Sequence, residues 1–564
     1  MNTRTTLKAI LFTLCVSATC QAELRLPNIF GDHMVLQRGK NIRVWGWAQP
    51  EEDVDVSFAG QSAKNRANAE GRWRVELASM PASSEPRELK ISSAGESLAI
   101  RDVLVGDVWL CGGQSNMEWT LRSTRDADLE VLSADFPEIR FIRLPKITRT
   151  EPQQDFLVKS PQDAVGNWQL CSTKQVENCT AVGYYFAKRI HRRLGVPIGL
   201  IDTSWGGTMA QHWVRKETLR KISEVNPYFE KFEIALRQWT DGGGEEGAKK
   251  RYDLDLEKWE SDRKQAKAAG VREPRKPNWN AYTNPAHKGQ PGGMLNGCIM
   301  PIARCSLKGV LFYQGENNSF TVGWKPFPKT YPAVISDWRK IFGDEQLPFG
   351  LVQIAGWSNR RSMEYDMNHH CNIVREVQFN TWRNTPRTGL VVTFDTNTSQ
   401  GIHPIRKLPV GERLARWALA EVYKTPSYSS KDPLQWRGPV YKSMKQQGNK
   451  IHITFEAGTD RGLVLDQDVE VGFYIAGEDR AFHHARARVD RGSNQLVVWS
   501  DDVSEPVAVR YGWSNLPAGG LMNRRELPAY PFRTDTWPLT PHQSTGSYEV
   551  KKAPVSKRVT ELDQ

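Results

Sequence analysis

Residues 102–119 read DVLVGDVWLCGGQSNMEW. An apolar run ends in paired glycines, and one serine, Ser115, follows among small and polar residues. A hydroxyl at such a strand-to-helix turn either attacks a substrate or only shapes the turn. The stretch does not choose between these, because a serine becomes nucleophilic only when a neighbouring base takes its proton. It does mark where the fold class changes. Before it, residues 23–105 carry short alternating segments, IRVWGWA, VDVSFAG, WRVEL and RELKISSA, separated by turn residues at sandwich-like intervals. After it, apolar strand-like runs alternate with helical ones, the pattern of a parallel sheet with crossover helices.

The strand-like runs are DVWLC, VPIGLID, LKGVLFYQ, LPFGLVQIAG and GLVVTFD. Between them, AVGYYFAKRIHRRLG places Val182, Tyr185, Phe186 and Ile190 on one face and stops at Gly195. The sequence therefore predicts an α/β core over 106–215 and 290–428. A polar, partly helical insertion over 216–289 interrupts it beside the site. From about 430 the period returns to two, in KIHITFE, VEVGFYIAG, QLVVWS and VAVRYGW. A second β-rich, sandwich-like module is expected over 429–537, with a polar tail at 538–564.

At 564 residues the chain exceeds what one core usually holds. The first 22 residues combine Arg4 and Lys8 with a short apolar stretch and a small-residue cleavage site, which reads as a signal peptide. No apolar run is long enough to span a bilayer. A secreted or periplasmic protein is expected. Six of the eight cysteines follow the signal, and Cys171/Cys179 and Cys298/Cys305 are candidate disulfide pairs in an oxidising compartment. No metal-ligand spacing occurs, and His369-His370 and His483-His484 read as surface histidines. Part of the net charge of +12 sits in 248–277 and in the tail; acids are interleaved through the first, so a solvated helical face fits better than a nucleic-acid surface. The 20 tryptophans tilt weakly toward carbohydrate.

Four turns each follow a strand-like run and would gather at the carboxyl edge of one parallel sheet, where such sheets place ligands. They are Gly113-Gln114-Ser115-Asn116, Trp205-Gly206-Gly207-Thr208, Gln314-Gly315-Glu316-Asn317 and Ile402-His403-Pro404. Respectively they offer a hydroxyl, backbone N–H groups on glycine, amide side chains and an imidazole. Position 117 is Met, so the G-x-S-x-G elbow of α/β-hydrolases is not met. Glu118 and Trp119 read as braces of the serine turn, and Glu316 as a carboxylate bonding loop N–H groups. Arg375 and Gln378 either face the site or lie on a helix surface. Asp202 has no assignable role.

These blocks, in order, resemble the sialate O-acetylesterase family of the SGNH hydrolase superfamily. The matching stretches are NIFGDHMVLQRG, VWGWAQP, VGDVWLCGGQSNMEW, SWGGT, GVLFYQGENN, IHP with VGERLARWAL, and PVAVRYGWSN with LPAYPFRTD. The resemblance implies an SGNH-type, flavodoxin-like, three-layer α/β/α core. It implies Ser115 as nucleophile, His403 as base, and an oxyanion hole from Ser115, Gly207 and Asn317, with Gly206 and Gln314 as alternates. Many relatives carry an acid two or three positions before the histidine. Here SQGIHP has none, which leaves a Ser–His dyad held by a backbone carbonyl of 399–401, or Asp395 as the acid. The implied activity is a cofactor-free O-acetylesterase acting on sialic acids or related glycans. A polysaccharide acetyl esterase of xylan type and an inactive carbohydrate-binding protein are the alternatives. No nucleic-acid partner is implied.

Overall fold

The computed structural model describes residues 23–160, 163–320, 323–357, 369–397, 401–428, 434–466 and 472–539. The expected signal peptide and nearly all of the tail lie outside them.

Among the described residues the main path of the core sheet runs through seven strands, β1 Glu96–Gly113, β2 Asp135–Arg143, β3 Trp168–Ser172, β4 Ile198–Asp202, β5 Gly309–Tyr313, β6 Phe349–Val352 and β7 Thr388–Val391, in spatial order β7-β6-β5-β1-β4-β2-β3. All neighbours run parallel except β3, an antiparallel edge. Taken alone, β4-β1-β5-β6-β7 have the 2-1-3-4-5 order of a flavodoxin-like sheet, with the strand-order reversal beside β1. Register aligns the strand ends: Asp202 pairs with Cys111 and Tyr313 with Gly113, so three turns leave the sheet at nearly one level.

Helices α1 Ser115–Glu118, α2 Ala181–Leu194, α3 Asn226–Asp241, α4 Gly244–Ala268, α5 Ala286–Gly289, α6 Phe327–Phe342, α7 His370–Asn384 and α8 Leu408–Trp417 follow. Helix α2 buries Val182, Tyr185, Phe186 and Ile190 and ends at left-handed Gly195. Its Phe186 meets Trp109 of β1 edge-on, and Trp417 of α8 meets the same indole. Trp338 of α6 packs at Gly112, whose face of β1 is opposite that of Trp109. Helices thus cover both faces, and the second half of β1 is buried throughout.

Strand β1 crosses the expected boundary at 105/106. Its first half pairs antiparallel with Ser83–Ser93 of the N-terminal module, and its second half is the central core strand. The C-terminal module is antiparallel among its described strands. The insertion contains the long helices α3 and α4 and returns through α5. None of the helices among the described residues is long and apolar enough to cross a membrane.

Two expectations are corrected. All six described cysteines are free thiols. Cys298, for example, turns its sulfur onto the Ile147 carbonyl at 3.2 Å rather than toward Cys305. The histidines at 369–370 are not on the surface: His369 caps α7 by accepting from the Cys371 N–H, and His370 stacks on Trp324.

Candidate active site

The turn after β1 is set by Gly113, which has a φ of +121°; a Cβ there would lie 2.1 Å from the Tyr313 carbonyl. Only glycine takes this route without strain. Ser115 then opens α1, where its N–H has no partner within its own helix. Its hydroxyl lies 2.7 Å from His403 Nε2. The two residues are 288 positions apart, so the fold alone joins them.

The other turns close around this pair. Gln114 Oε1 accepts from Gln314 Nε2 at 2.8 Å and from the Asn317 N–H at 3.1 Å. Gln314 Nε2 also donates to the Thr208 carbonyl at 2.8 Å. Asn317 Nδ2 donates to the Gly207 carbonyl at 2.9 Å, and the Trp205 N–H to the Gly113 carbonyl at 3.0 Å. Serine, glycine and amide turns are therefore one interlocked unit.

This geometry separates the candidate oxyanion donors. The Gly207 N–H makes no hydrogen bond among the described residues, and one hydrogen of the Asn317 amide remains after its bond to Gly207. The Gly206 N–H is taken by Glu118 Oε2 at 2.6 Å. Both hydrogens of the Gln314 amide are used inside the unit. The Gly206 N–H and the Gln314 side-chain amide are therefore spent holding the site together. A Cβ at Gly206 would also lie 3.0 Å from that of Ser115, so a side chain there would crowd the nucleophile.

Asp395 does not reach the imidazole among the described contacts. Both its oxygens are held by the Arg413 guanidinium, at 2.7 and 2.5 Å. No hydrogen bond to His403 Nδ1 is made among the described residues, which exclude Ser399 and Gln400. The ring is flanked instead by Trp119, stacked at 5.1 Å between centroids and 28° between planes. Burial, with the Lys407 charge adding to it, pushes the imidazole below its ordinary value, against a smaller opposing pull from Glu118.

The remaining residues fall in place around this unit. Glu118 also pairs with Lys146. Asp202 accepts from the N–H and hydroxyl of Ser204 and shapes the second turn, with burial raising its carboxyl to about 6. Gln378 and Arg375 are buried behind the site, Gln378 bonding the Gln314 carbonyl at 2.8 Å. Glu316, read as bonding loop N–H groups, takes the Asn116 amide at 2.5 Å.

The insertion reaches the site through α5. Lys288 Nζ lies 3.0 Å from where a Cβ of Gly207 would be, 5.9 Å from the Trp205 ring, and has no ion-pair partner among the described residues. Desolvation lowers its ammonium from the usual lysine value. Tyr228 of α3 anchors this arm, bonding His212 Nε2 at 2.5 Å and the Gly289 carbonyl at 2.7 Å. Asn116 and Trp119 belong to the serine motif, Trp119 as the expected brace, whereas Lys288 and Lys407 carry no motif signal.

No family model matches the chain. A crystal structure of a carbohydrate acetylesterase from Xanthomonas citri has a TM-score of 0.73 and 32% identity, covering 91% of this chain and 100% of that one. Sialate O-acetylesterase of Mus musculus is 26% identical, over 89% of this chain and 92% of its own length. The Homo sapiens protein of the same name is 26% identical, over 87% and 88%. The chain belongs to the sialate O-acetylesterase family of carbohydrate esterases.

Proposed function

We propose that the chain is an exported serine esterase of SGNH type that removes O-acetyl groups from sialic acids or related acidic glycans. The observation that carries this reading is the 2.7 Å approach of Ser115 Oγ to His403 Nε2 beside two unspent donors, the Gly207 N–H and the Asn317 amide. Neutral His403 takes the hydroxyl proton as Ser115 attacks the acetyl carbonyl. The tetrahedral oxyanion forms against the N–H groups of Ser115 and Gly207 and the Asn317 amide, whose loss one at a time typically costs ~10²–10³ in rate. The imidazolium returns its proton to the departing sugar oxygen, and water repeats the sequence on the acetyl-enzyme. An alkoxide leaves more readily than an amide nitrogen, so this chemistry needs less from a third residue.

The unpaired Lys288 ammonium favours an acidic sugar over a neutral one such as xylan, because a half-buried cation is stabilised by a carboxylate beside it. Family membership and the residues at 1–22 support the esterase and its export. Released acetate, measured on acetylated sialic acids and acetylated xylo-oligosaccharides side by side, tests the reading. It expects a higher kcat/KM on the sialic acids. Equal rates on both would remove the acidic-sugar assignment, and binding of glycan without release of acetate would leave a binding protein.

A further inference from the structure

We propose that Lys407, Asn116 and Glu316 form a buried positioning device that fixes the Ser115 turn to the His403 loop and sets the charge around the imidazole. The proposal rests on the serine-esterase reading above. Asn116 directly follows the nucleophile and is 1% exposed. Its Nδ2 donates to Glu316 Oε1 at 2.5 Å and to the Ile402 carbonyl at 3.0 Å, while its Oδ1 accepts from Lys407 Nζ. Ile402 precedes the histidine and Lys407 lies four residues after it. One amide beside the nucleophile thus grips the base's loop at both ends.

Lys407 and Glu316 are 1% and 2% exposed, too deep for isolated charges. The ammonium faces the rings of Trp119 and Tyr313 at 5.7 and 5.4 Å, and Glu316 Oε2 has no hydrogen-bond partner among the described residues. Burial pulls the Lys407 ammonium down to about 7 and raises the Glu316 carboxyl, each charge opposing the other's shift across Asn116, so removing one strands its partner. Trp119, one of the two rings over Lys407, also stacks on His403. The cation is thus packed against the indole that holds the base. All three residues are buried, so their effect on turnover runs through Ser115 and His403.

The charge has a second consequence. Beyond burial, two charged groups among the described residues bear on the imidazole: Lys407 from its own loop lowers its basicity, and Glu118 of α1, itself paired with Lys146, raises it. Taking away the cation moves the imidazole upward, so the acid limb of activity shifts to higher pH. A scaffold acting through packing alone would leave that limb in place.

The test is the pH profile of kcat/KM on a chromogenic acetate ester, run on wild type, Ser115→Ala, Lys407→Met, Glu316→Gln and the double variant. Hydrolysis by wild type but not by Ser115→Ala establishes the reading beneath; its failure condemns that reading, not this device. Lys407→Met should lose about tenfold or more in kcat, with KM within about threefold, and move its acid limb upward. The double variant should lose less than the product of the two single losses, since no charge is left stranded. Should Lys407→Met not fold, the isosteric Glu316→Gln decides by the same kcat and KM criteria. Wild-type kcat in the single variants, an unmoved acid limb in Lys407→Met, or losses that simply multiply would overturn the proposal.

Discussion

His403 meets Ser115 through Nε2, and what borders the imidazole is the Trp119 indole, with Asp395 spent on Arg413. In a serine-protease triad, removing the orienting aspartate costs ~10⁴. Here Asp395→Asn is expected to leave kcat within about threefold of wild type; initial rates on an acetate ester check this. The pH dependence follows from the charge state that works. Catalysis needs neutral His403, whose value is depressed, so activity persists below the ordinary imidazole range and falls as pH drops through the depressed value. Glu118 opposes that depression, so Glu118→Gln should move the acid limb to lower pH, opposite in sign to Lys407→Met. Ser115, His403, Gly207 and Asn317 were legible because each sits in a short motif after a strand. Lys407 was not. A lysine four residues past a histidine reads as a surface charge, and only tertiary packing buries it.

At the scale of elements, the four turns were legible as a set, since apolar runs ending in glycine and amides announce a parallel sheet's carboxyl edge. The insertion was legible only as polar helix. Its working end, α5, is four residues long and carries no periodic signal. Lys288→Met should raise KM on an acidic acetylated sugar by roughly tenfold or more, the usual scale for a lost charged hydrogen bond, and change a neutral acetate ester little. Steady-state kinetics on the two substrates separate the cases. The arm's anchor has its own pH signature. Burial pushes His212 down to about 3, below the unfolded imidazole. Its contribution to stability is therefore complete above about pH 6.5 and declines as pH falls toward 3. Thermal melts across that window should slope less steeply in His212→Asn than in wild type.

Over the whole molecule, the N-terminal module and the core share β1, and a charge cluster joins them at its middle. Asp107, fully buried in that strand, is gripped by both Nε and an Nη of Arg38 at 3.0 and 2.9 Å and by the Tyr423 hydroxyl at 3.0 Å. A domain boundary at 105/106 follows from the change in hydrophobic pattern, but hydrogen bonding ignores that change, because a strand can be half-exposed in one layer and buried in the next. Module and core should unfold together; calorimetry resolving a separate early transition for residues 23–105 would contradict this. The central claim is that Ser115, activated by His403, is the nucleophile. Labelling with a fluorophosphonate probe, read by peptide mass spectrometry, tests it most directly. A single adduct on Ser115 is expected, lost in Ser115→Ala and strongly slowed in His403→Ala. An adduct on another residue, or full ester turnover by Ser115→Ala, would contradict it.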